Sequence, residues 1–531
     1  MRKFLIKTTL LMLAAAALLI WLRNDASALT GKGVLGMDDS SGWLAANIQN
    51  PKPFDILEAV QTDMLRVSLP WGEVEPAADA FVWSYQSQEG FKDFDQLLSL
   101  LEKRGIQAVM VLEGGPPYSS HLYPQQPVSS EELLARWEGY VRAAVARFGN
   151  RVNYWQIGSG INDPASWGSM LFPGEPSAES PPNPQLYGEM LRRAHIIIKS
   201  AQPGDSVILG SLTLGGACDF SPLSYLYALQ DLNLWSSFDA ISIELPMLDA
   251  APEISTPDTC GTLPLDQTGM PLTDNLRAVN ELITSAGQKA LWVYGLAFSA
   301  DMLAEQAAQR GVLPQIVESD YLARASGLLL SYGGADRVFW RYAPQSALPG
   351  ALALQSYANL NHALGSTNTA KTETIFENGK EELRFRGGGR LAILTWRSLQ
   401  GDQPEVTTLA DLQGFRLHAY SSDATALKEK YGVKLPIDAV GGTTLMVSER
   451  PVLIVGQPND LKSAASMFLS DLAAQTKQNL QAKADSWLHA QKAKAADKVG
   501  AWVEEQQKSL LDLLKDSFSQ WLRRSLGLAK L

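Results

Sequence analysis

The feature that most restricts the fold is an alternation of apolar strand-like runs and amphipathic helical runs across residues 34–365. Strands that alternate with helices are typical of a parallel sheet covered by crossover helices. A doubly wound open sheet is one alternative, but no Gly-x-Gly-x-x-Gly motif opens its first helix. The pattern favours a TIM barrel, which closes a ring of strands that are each followed by a helix. The strand-like runs are Gly33–Gly36, Met64–Leu69, Ile106–Leu112, Val152–Ile157, Val207–Gly210, Phe238–Ile243, Ala290–Tyr294 and Arg337–Trp340.

The pattern changes beyond Gly365. Residues 366–457 contain short alternating runs separated by glycines, which predict a small β-sandwich packed on the barrel. Residues 458–531 are expected to form a helical tail, because 459–497 lack Gly and Pro and are rich in Ala, Gln, Lys and Leu. The β-type runs are Glu382–Arg386, Leu391–Trp396, Gly414–Tyr420, Thr443–Val447 and Val452–Val455.

The first 28 residues have the features of an export signal. Three basic residues precede an apolar run at 10–22, and Ala26-Ser27-Ala28 follows it. The run is shorter than the ~20 apolar residues that span a membrane. We therefore expect an exported protein, extracellular or at the cell surface, and leave open whether residues 1–28 are cleaved or kept as a membrane anchor. Export would permit a disulfide between Cys218 and Cys260, in loops after the fifth and sixth predicted strands.

Charge and composition exclude several classes of function. A net charge of −11 argues against nucleic acid as a partner, since that partner requires a basic face. The five histidines form no cluster with metal-ligand spacing. The sequence contains no serine nucleophile elbow and no phosphate-binding loop. We therefore expect neither a metal nor a cofactor.

A short buried strand runs directly into a glycine-rich turn at residues 153–162. Its segment Trp155-Gln156-Ile157-Gly158-Ser159-Gly160-Ile161-Asn162 resembles the motif Trp-Glu-Ile-Trp-Asn-Glu-Pro-Asn. That motif ends the fourth strand of the clan-A glycoside hydrolases, the superfamily of retaining cellulases, β-xylosidases and β-galactosidases. In the family its second Glu is the catalytic acid/base. The resemblance places Gly160 at that position.

The second predicted strand carries a further part of the resemblance. Arg66, Trp71 and Glu75-Pro76, followed by Phe81-Val82-Trp83, are similar to the family's pattern of Arg, Trp, Glu-Pro and an aromatic-x-Trp turn. In the family that arginine supports the nucleophile. An arginine that holds barrel carboxylates structurally is the alternative for Arg66. Glu75 is expected to cap the following turn rather than to act in catalysis.

The seventh and eighth strands complete the resemblance. The segment Trp292–Ala297 is similar to Trp-Val-Thr-Glu-Phe-Gly, whose Glu is the family's nucleophile, and the matching residue is Gly295. On the sixth strand, Glu244-Leu245-Pro246 replaces the family's His-x-Tyr. Trp340 matches a tryptophan that forms the floor under the reacting sugar, with simple core packing as the alternative.

The resemblance therefore implies a clan-A barrel over residues 30–365 without its two catalytic carboxylates. Retaining hydrolysis requires two carboxyl groups about 5–5.5 Å apart, and glycine supplies neither. One hypothesis is a non-catalytic protein that binds an oligo- or polysaccharide or scaffolds a partner. The other is an active hydrolase with displaced carboxylates, Glu113 and Glu244, which follow the third and sixth strands. The expected sugar contacts are Arg66, Trp71, Tyr118, Asn162 and Trp340.

Overall fold

The computed structural model describes most of the first 459 residues. Tyr118, Cys218, Cys260 and residues 1–33 and 460–531 lie outside the described part, so the expectations that concern them stay predictions. The described residues are 34–88, 90–115, 130–171, 181–214, 220–254, 271–341, 351–365, 372–377, 379–387, 390–397, 404–425, 427–428 and 432–459.

Eight parallel strands close into a barrel, and the predicted TIM-barrel fold is confirmed. Each strand pairs with its neighbours in the chain, and the ring is completed where the last strand pairs with the first. The barrel strands are β1 (Leu35–Asp39), β2 (Met64–Pro70), β3 (Gln107–Glu113), β4 (Tyr154–Ile157), β5 (Ser206–Leu209), β6 (Ala240–Glu244), β7 (Ala290–Leu296) and β8 (Arg337–Arg341).

Helices follow the strands and form the outer layer of the barrel. No helix within the described residues is both long and apolar enough to cross a membrane. The helices are α1 (Trp43–Ala46), α2 (Lys52–Ala59), α3 (Trp71–Val74), α4 (Phe94–Lys103), α5 (Ser130–Phe148), α6 (Pro164–Leu171), α7 (Pro184–Ala201), α8 (Pro222–Asp231), α9 (Pro271–Ala286), α10 (Ala300–Arg310), α11 (Pro314–Ser331) and α12 (Ala351–Gly365).

Strand alternation decides which side chains fill the barrel. Successive residues of a strand point to opposite faces of the sheet, so every second residue enters the interior. On β8, Phe339 belongs to the interior cluster, and Gly36 on β1 leaves the space that the Phe339 ring occupies. The interior cluster is Met64, Val109, Tyr154, Ile208, Ala240, Trp292, Tyr294 and Phe339. This apolar layer forms the floor beneath the polar residues at the carboxyl ends of the strands.

Apolar residues at three- and four-residue spacing predict a helix over Phe91–Arg104, and this prediction is wrong at its beginning. Phe91–Asp93 is a strand that pairs with Ser84–Gln86, and α4 begins only at Phe94. The reason is local. The carboxylate of Asp93 accepts a hydrogen bond from the backbone amide of Gln96, which makes Asp93 the N-cap.

The predicted β-sandwich is confirmed, as an antiparallel six-stranded sheet packed against a two-stranded one. The two-stranded sheet pairs β12 (Glu405–Leu409) with β15 (Thr443–Val447). The order in the larger sheet is β9 (Thr372–Glu377), β10 (Lys380–Gly387), β11 (Arg390–Arg397), β16 (Val452–Pro458), β13 (Phe415–Ser421) and β14 (Val433–Leu435). Sequence reasoning missed β9, β12 and β14.

The sandwich packs directly on the barrel through α11. A Cβ at Gly327 would lie 2.8 Å from Leu383 and 2.7 Å from Leu394, so the helix approaches β10 and β11 closely. A buried polar group reinforces the contact. Glu253, after β6, accepts hydrogen bonds from Arg324 of α11 and from the indole nitrogen of Trp396 on β11, each at 2.8 Å.

Candidate functional site

Arg66 is the centre of a polar cluster at the carboxyl ends of the barrel strands. It lies in the middle of β2, and alternation directs its side chain inward, where it is 1 % exposed. Its guanidinium donates to Asp38 at 3.0 Å, to Gln156 at 3.1 Å and to Ser159 at 2.9 Å. The carboxylate of Glu244 lies 3.6 Å from the same group. Arg66 therefore links four barrel strands and has a partner for each of its three nitrogens.

Glu244, at the end of β6, is held in its ionised form. Its Oε2 atom accepts hydrogen bonds from Ser159 at 3.0 Å and from Ser211 at 2.6 Å. Burial acts to raise the pKa of Glu244, but the charges of Arg66 and Arg341 and the two hydroxyl donors outweigh it, and the pKa is lowered. The serines thus fix both the position and the charge of this carboxylate.

Glu113, at the end of β3, has a pKa that is shifted in the opposite direction. Its carboxylate accepts a hydrogen bond from Ser68, one strand away. Burial raises the pKa of Glu113, and the nearby charges of Glu244 and Asp38 raise it further, while Arg66 and Ser68 offset only part of this effect. The structure therefore places the two predicted displaced carboxylates in one cluster, with pKa values shifted in opposite directions.

Three buried polar atoms at the barrel mouth have no hydrogen-bond partner among the described residues. They are Oδ2 of Asp38, the hydroxyl of Tyr294 and Nε of Arg341, and the side chains of Asp38 and Tyr294 are both 0 % exposed. Burial raises the pKa of Asp38, although Arg66 opposes that effect. Leaving a buried polar group unpaired costs roughly 1–3 kcal/mol, so these atoms retain hydrogen-bonding capacity that the described residues do not use.

The two glycines at the expected catalytic positions have left-handed backbones. Gly160 lies in the turn after β4 with φ of +60°, and Gly295 lies near the end of β7 with φ of +79°. Residues with a side chain rarely adopt this conformation. A Cβ at Gly160 would lie 2.6 Å from the Ser166 side chain, and one at Gly295 would lie 2.9 Å from Nη2 of Arg341. The local geometry therefore depends on glycine at both positions.

Sequence reasoning missed Arg341, the last residue of β8. Alternation from Phe339 directs it into the barrel mouth, and it stands in register with Asp38 on β1. Its Nη2 atom donates to the backbone oxygen of Leu245 at 3.2 Å, across β7. The alternation Arg-x-Phe-x-Arg at 337–341 places Arg341 on the same face of the strand as Phe339, whereas Trp340, the residue matched by the resemblance, lies on the opposite face.

Trp340 does not have the predicted sugar-binding placement. It is 0 % exposed and points outward, donating its indole N–H to Ser326 of α11 at 2.8 Å and packing edge-on against Tyr357 of α12. Trp71 likewise lies in the helix layer, where its ring stacks on Tyr140 with centroids 5.4 Å apart. Both tryptophans belong to the core between strands and helices.

Asn162 is also occupied structurally. Its side-chain amide donates to the backbone oxygens of Thr213 at 3.1 Å and Phe220 at 2.8 Å, and its oxygen accepts from the Thr213 amide at 2.7 Å. It therefore ties the turn after β4 to the segment after β5, with little capacity left for a ligand. Glu75 caps its turn as expected, accepting hydrogen bonds from Trp71 and from the backbone amide of Asp79.

The polar cluster around Arg66 presents carboxyl, hydroxyl, amide and guanidinium groups. No group of three His, Cys, Asp or Glu side chains within the described ranges is arranged to hold a metal ion. Asp38 and Glu244 are partnered by Arg66, and Glu113 accepts a hydrogen bond from Ser68.

Comparison with solved structures identifies the architecture. A family 39 glycoside hydrolase from Bacteroides cellulosilyticus is similar over 80 % of this chain and 81 % of its own, with a TM-score of 0.56 and 17 % sequence identity. A family 30 endoxylanase from Clostridium papyrosolvens is similar over 81 % and 97 % of the two chains, with a TM-score of 0.51 and 10 % identity. The chain shares its TIM-barrel fold with these family 39 and family 30 glycoside hydrolases.

The likeness is one of fold. A bifunctional glucanase-xylanase from a metagenome library gives the same TM-score of 0.51, at 10 % identity over 81 % of this chain and 97 % of that one. No family model matches the sequence, and no curated protein matches it in a sequence search. What this barrel does must therefore be argued from its own side chains.

Proposed function

We propose that this protein binds a carbohydrate at the carboxyl-terminal mouth of its clan-A barrel without hydrolysing it. The observation that carries the proposal is the left-handed backbone at Gly160 and Gly295, with φ of +60° and +79°. A glutamate at either position would require the backbone and its neighbours to rearrange. The barrel mouth is where TIM-barrel proteins place their ligands, so loss of the carboxylates leaves a site suited to binding alone.

The remaining acids support this proposal, because their partners hold them in place. Glu244 is bonded to two serines, and Asp38 is paired with Arg66. A catalytic nucleophile must reach the anomeric carbon, and a carboxylate held by several donors is stabilised where it lies. The unpartnered atoms of Asp38 and Tyr294 supply hydrogen-bonding capacity for sugar hydroxyls instead.

The test combines a binding measurement and an activity measurement on the full chain. Binding is screened on a glycan array and then quantified by calorimetry, while turnover is followed on aryl glycosides and on cellulose, xylan and galactan. We expect saturable binding of an oligosaccharide and no release of reducing sugar or phenol. Saccharide binding that is absent throughout, or hydrolysis that persists in repurified protein, contradicts the proposal.

A second function is favoured by one specific observation, the opposite pKa shifts of Glu113 and Glu244. A carboxyl with a raised pKa beside one with a lowered pKa is the arrangement of a general acid with an ionised base or nucleophile. An active hydrolase of this kind would lose turnover in both Glu113→Gln and Glu244→Gln. The exposed acid Glu305, changed to Gln, is the matched control that should leave turnover unchanged.

We also propose that the protein is exported, on the basis of its first 28 residues. The support is the basic start, the short apolar run and the Ala-Ser-Ala site described above. Fractionation of producing cells, with amino-terminal sequencing of the mature chain, tests this. Cleavage after Ala28 would indicate release, an intact amino terminus in the membrane fraction would indicate an anchor, and an intact cytoplasmic chain would contradict export.

A further inference from the structure

We propose that Arg341 binds an anionic substituent of the saccharide, so that the ligand is an acidic sugar rather than a neutral one. This inference rests on the proposed carbohydrate-binding function and specifies the ligand class for the same site. The anionic group would be a carboxylate, as in a uronic acid, or a sulfate ester, and both present oxygen atoms in the geometry that a guanidinium recognises.

The guanidinium of Arg341 lies at the barrel mouth. Arg341 ends β8 and faces the barrel mouth beside Asp38 of β1. Nη2 of Arg341 lies 2.9 Å from where a Cβ of residue 295 would be. The positively charged guanidinium of Arg341 therefore occupies part of the space that a side chain at 295 would take.

The guanidinium of Arg341 has unfilled hydrogen-bonding capacity. One donor reaches the backbone oxygen of Leu245, but Nε is buried without a partner among the described residues. Within the same ranges, no carboxylate forms an ion pair with this guanidinium. Arg66 differs, because each of its nitrogens has an acceptor. Of the two arginines, Arg341 is the one with donors to offer to a ligand.

Acidic neighbours would repel an anion bound at Arg341, and the positive charges of Arg66 and Arg341 both act on Asp38 and Glu244 to offset that repulsion. Asp38 and Glu244 are both close to Arg66, at 3.0 and 3.6 Å, and two serines also donate to Glu244. Burial raises the pKa of Glu113, so this acid loses its proton less readily than an ordinary glutamate.

The experiment is calorimetric titration of the full chain with a panel of paired oligosaccharides. Each uronic-acid oligosaccharide is paired with its carboxyl-reduced form, each sulfated one with its desulfated form, and inorganic sulfate is titrated alone. The variants are Arg341→Gln and Arg341→Lys, with Arg416→Gln on the exposed face of β13 as the matched control. Thermal unfolding of each variant establishes that the barrel is intact.

We expect at least one acidic oligosaccharide to bind about tenfold or more tightly than its neutral counterpart, the scale of a charge-assisted hydrogen bond. Arg341→Gln should remove that preference without weakening the neutral ligand, Arg341→Lys should keep part of it, and Arg416→Gln should keep it whole. Which pair shows the preference distinguishes a carboxylate from a sulfate.

Two results overturn the inference while leaving carbohydrate binding intact: equal affinity for acidic and neutral partners, or a preference that survives in Arg341→Gln. Inorganic sulfate that binds at Arg341 as tightly as the best saccharide would show a simple ion site and would also overturn it. Absence of binding to every saccharide, neutral ones included, removes the proposed function and this inference together. The failures of the two proposals are thus distinguishable.

Discussion

The guanidinium of Arg66 lies over the ring of Tyr294, with its Cζ atom 4.6 Å from the ring centroid. Tyr294 belongs to the apolar floor of the barrel, and Arg66 belongs to the polar cluster above it. The face of an aromatic ring attracts a cation, most strongly where water is excluded. This contact therefore joins the core to the site and holds the central cation in place.

We predict that Arg66→Met lowers the free energy of unfolding by roughly 3–5 kcal/mol, because it leaves the buried carboxylate of Asp38 without its counter-charge. Arg142→Met is the matched control, since that arginine is 64 % exposed in its ion pair with Glu138 and should change stability by less than about 0.5 kcal/mol. Urea unfolding followed by circular dichroism measures both. Similar losses for the two variants would contradict a central role for Arg66.

Gly160→Ala and Gly295→Ala should each lower the free energy of unfolding by about 1–2 kcal/mol, because alanine is disfavoured in a left-handed backbone. Gly204→Ala is the control, since a Cβ there meets nothing within 4 Å and the backbone is not left-handed. Thermal and urea unfolding are the measurements. If alanine is tolerated at 160 and 295 as well as at 204, the glycines are not required by the backbone.

Tyr294→Phe should leave the free energy of unfolding unchanged or slightly raised, because the lost hydroxyl has no partner among the described residues. Tyr187→Phe should lower it by roughly 1–3 kcal/mol, since that hydroxyl donates to Ile157 and accepts from Gly210, at 2.9 and 2.8 Å. Calorimetric titration of both variants with an oligosaccharide is the second measurement. A clear loss of stability in Tyr294→Phe would show that its hydroxyl is already satisfied.

The pH dependence of stability should carry a contribution from Asp39. Burial raises the pKa of this carboxyl from 3.8 to about 7, although amides of α1 donate to it. Because the folded state keeps this proton to higher pH than the unfolded state, the contribution is present below pH ~4 and is lost as pH rises toward 7. Asp39→Asn should flatten that part of the profile, whereas Asp231→Asn, on the exposed end of α8, is the control. A profile unchanged by Asp39→Asn would contradict the assignment.

Much of the fold can be predicted from the hydrophobic periodicity of the sequence and from the spacing of its strand-like runs. All eight barrel strands lie within a few residues of their predicted runs, because a strand buried on both faces appears as a continuous apolar run. Three strands of the β-sandwich could not be predicted from the sequence. β9, β12 and β14 carry charged or polar residues on exposed faces, so their hydrophobic signal is weak.

The site could be located but not assigned residue by residue. The carboxyl ends of barrel strands lie at one face, and Arg66, Glu113 and Glu244 lie close together there; their predicted roles stay predictions. A single-residue step along a strand reverses the direction of a side chain, and on the eighth strand this determines which residue faces the barrel mouth. Trp340 turned outward into the helix layer, and Arg341, one residue later, turned into the mouth.

Codon arithmetic gives the glycine turns a further meaning. Glycine and glutamate codons can differ by one base, so either carboxylate is nominally one mutation away from this sequence. A side chain at 160 would meet Ser166, one at 295 would meet Arg341, and both backbones would have to leave the left-handed region. Under the proposed non-catalytic function, each first step is therefore a loss of stability without a gain in activity, since hydrolysis requires the pair. Regaining both carboxylates would then require passing through single mutants that are less stable than this chain and still inactive.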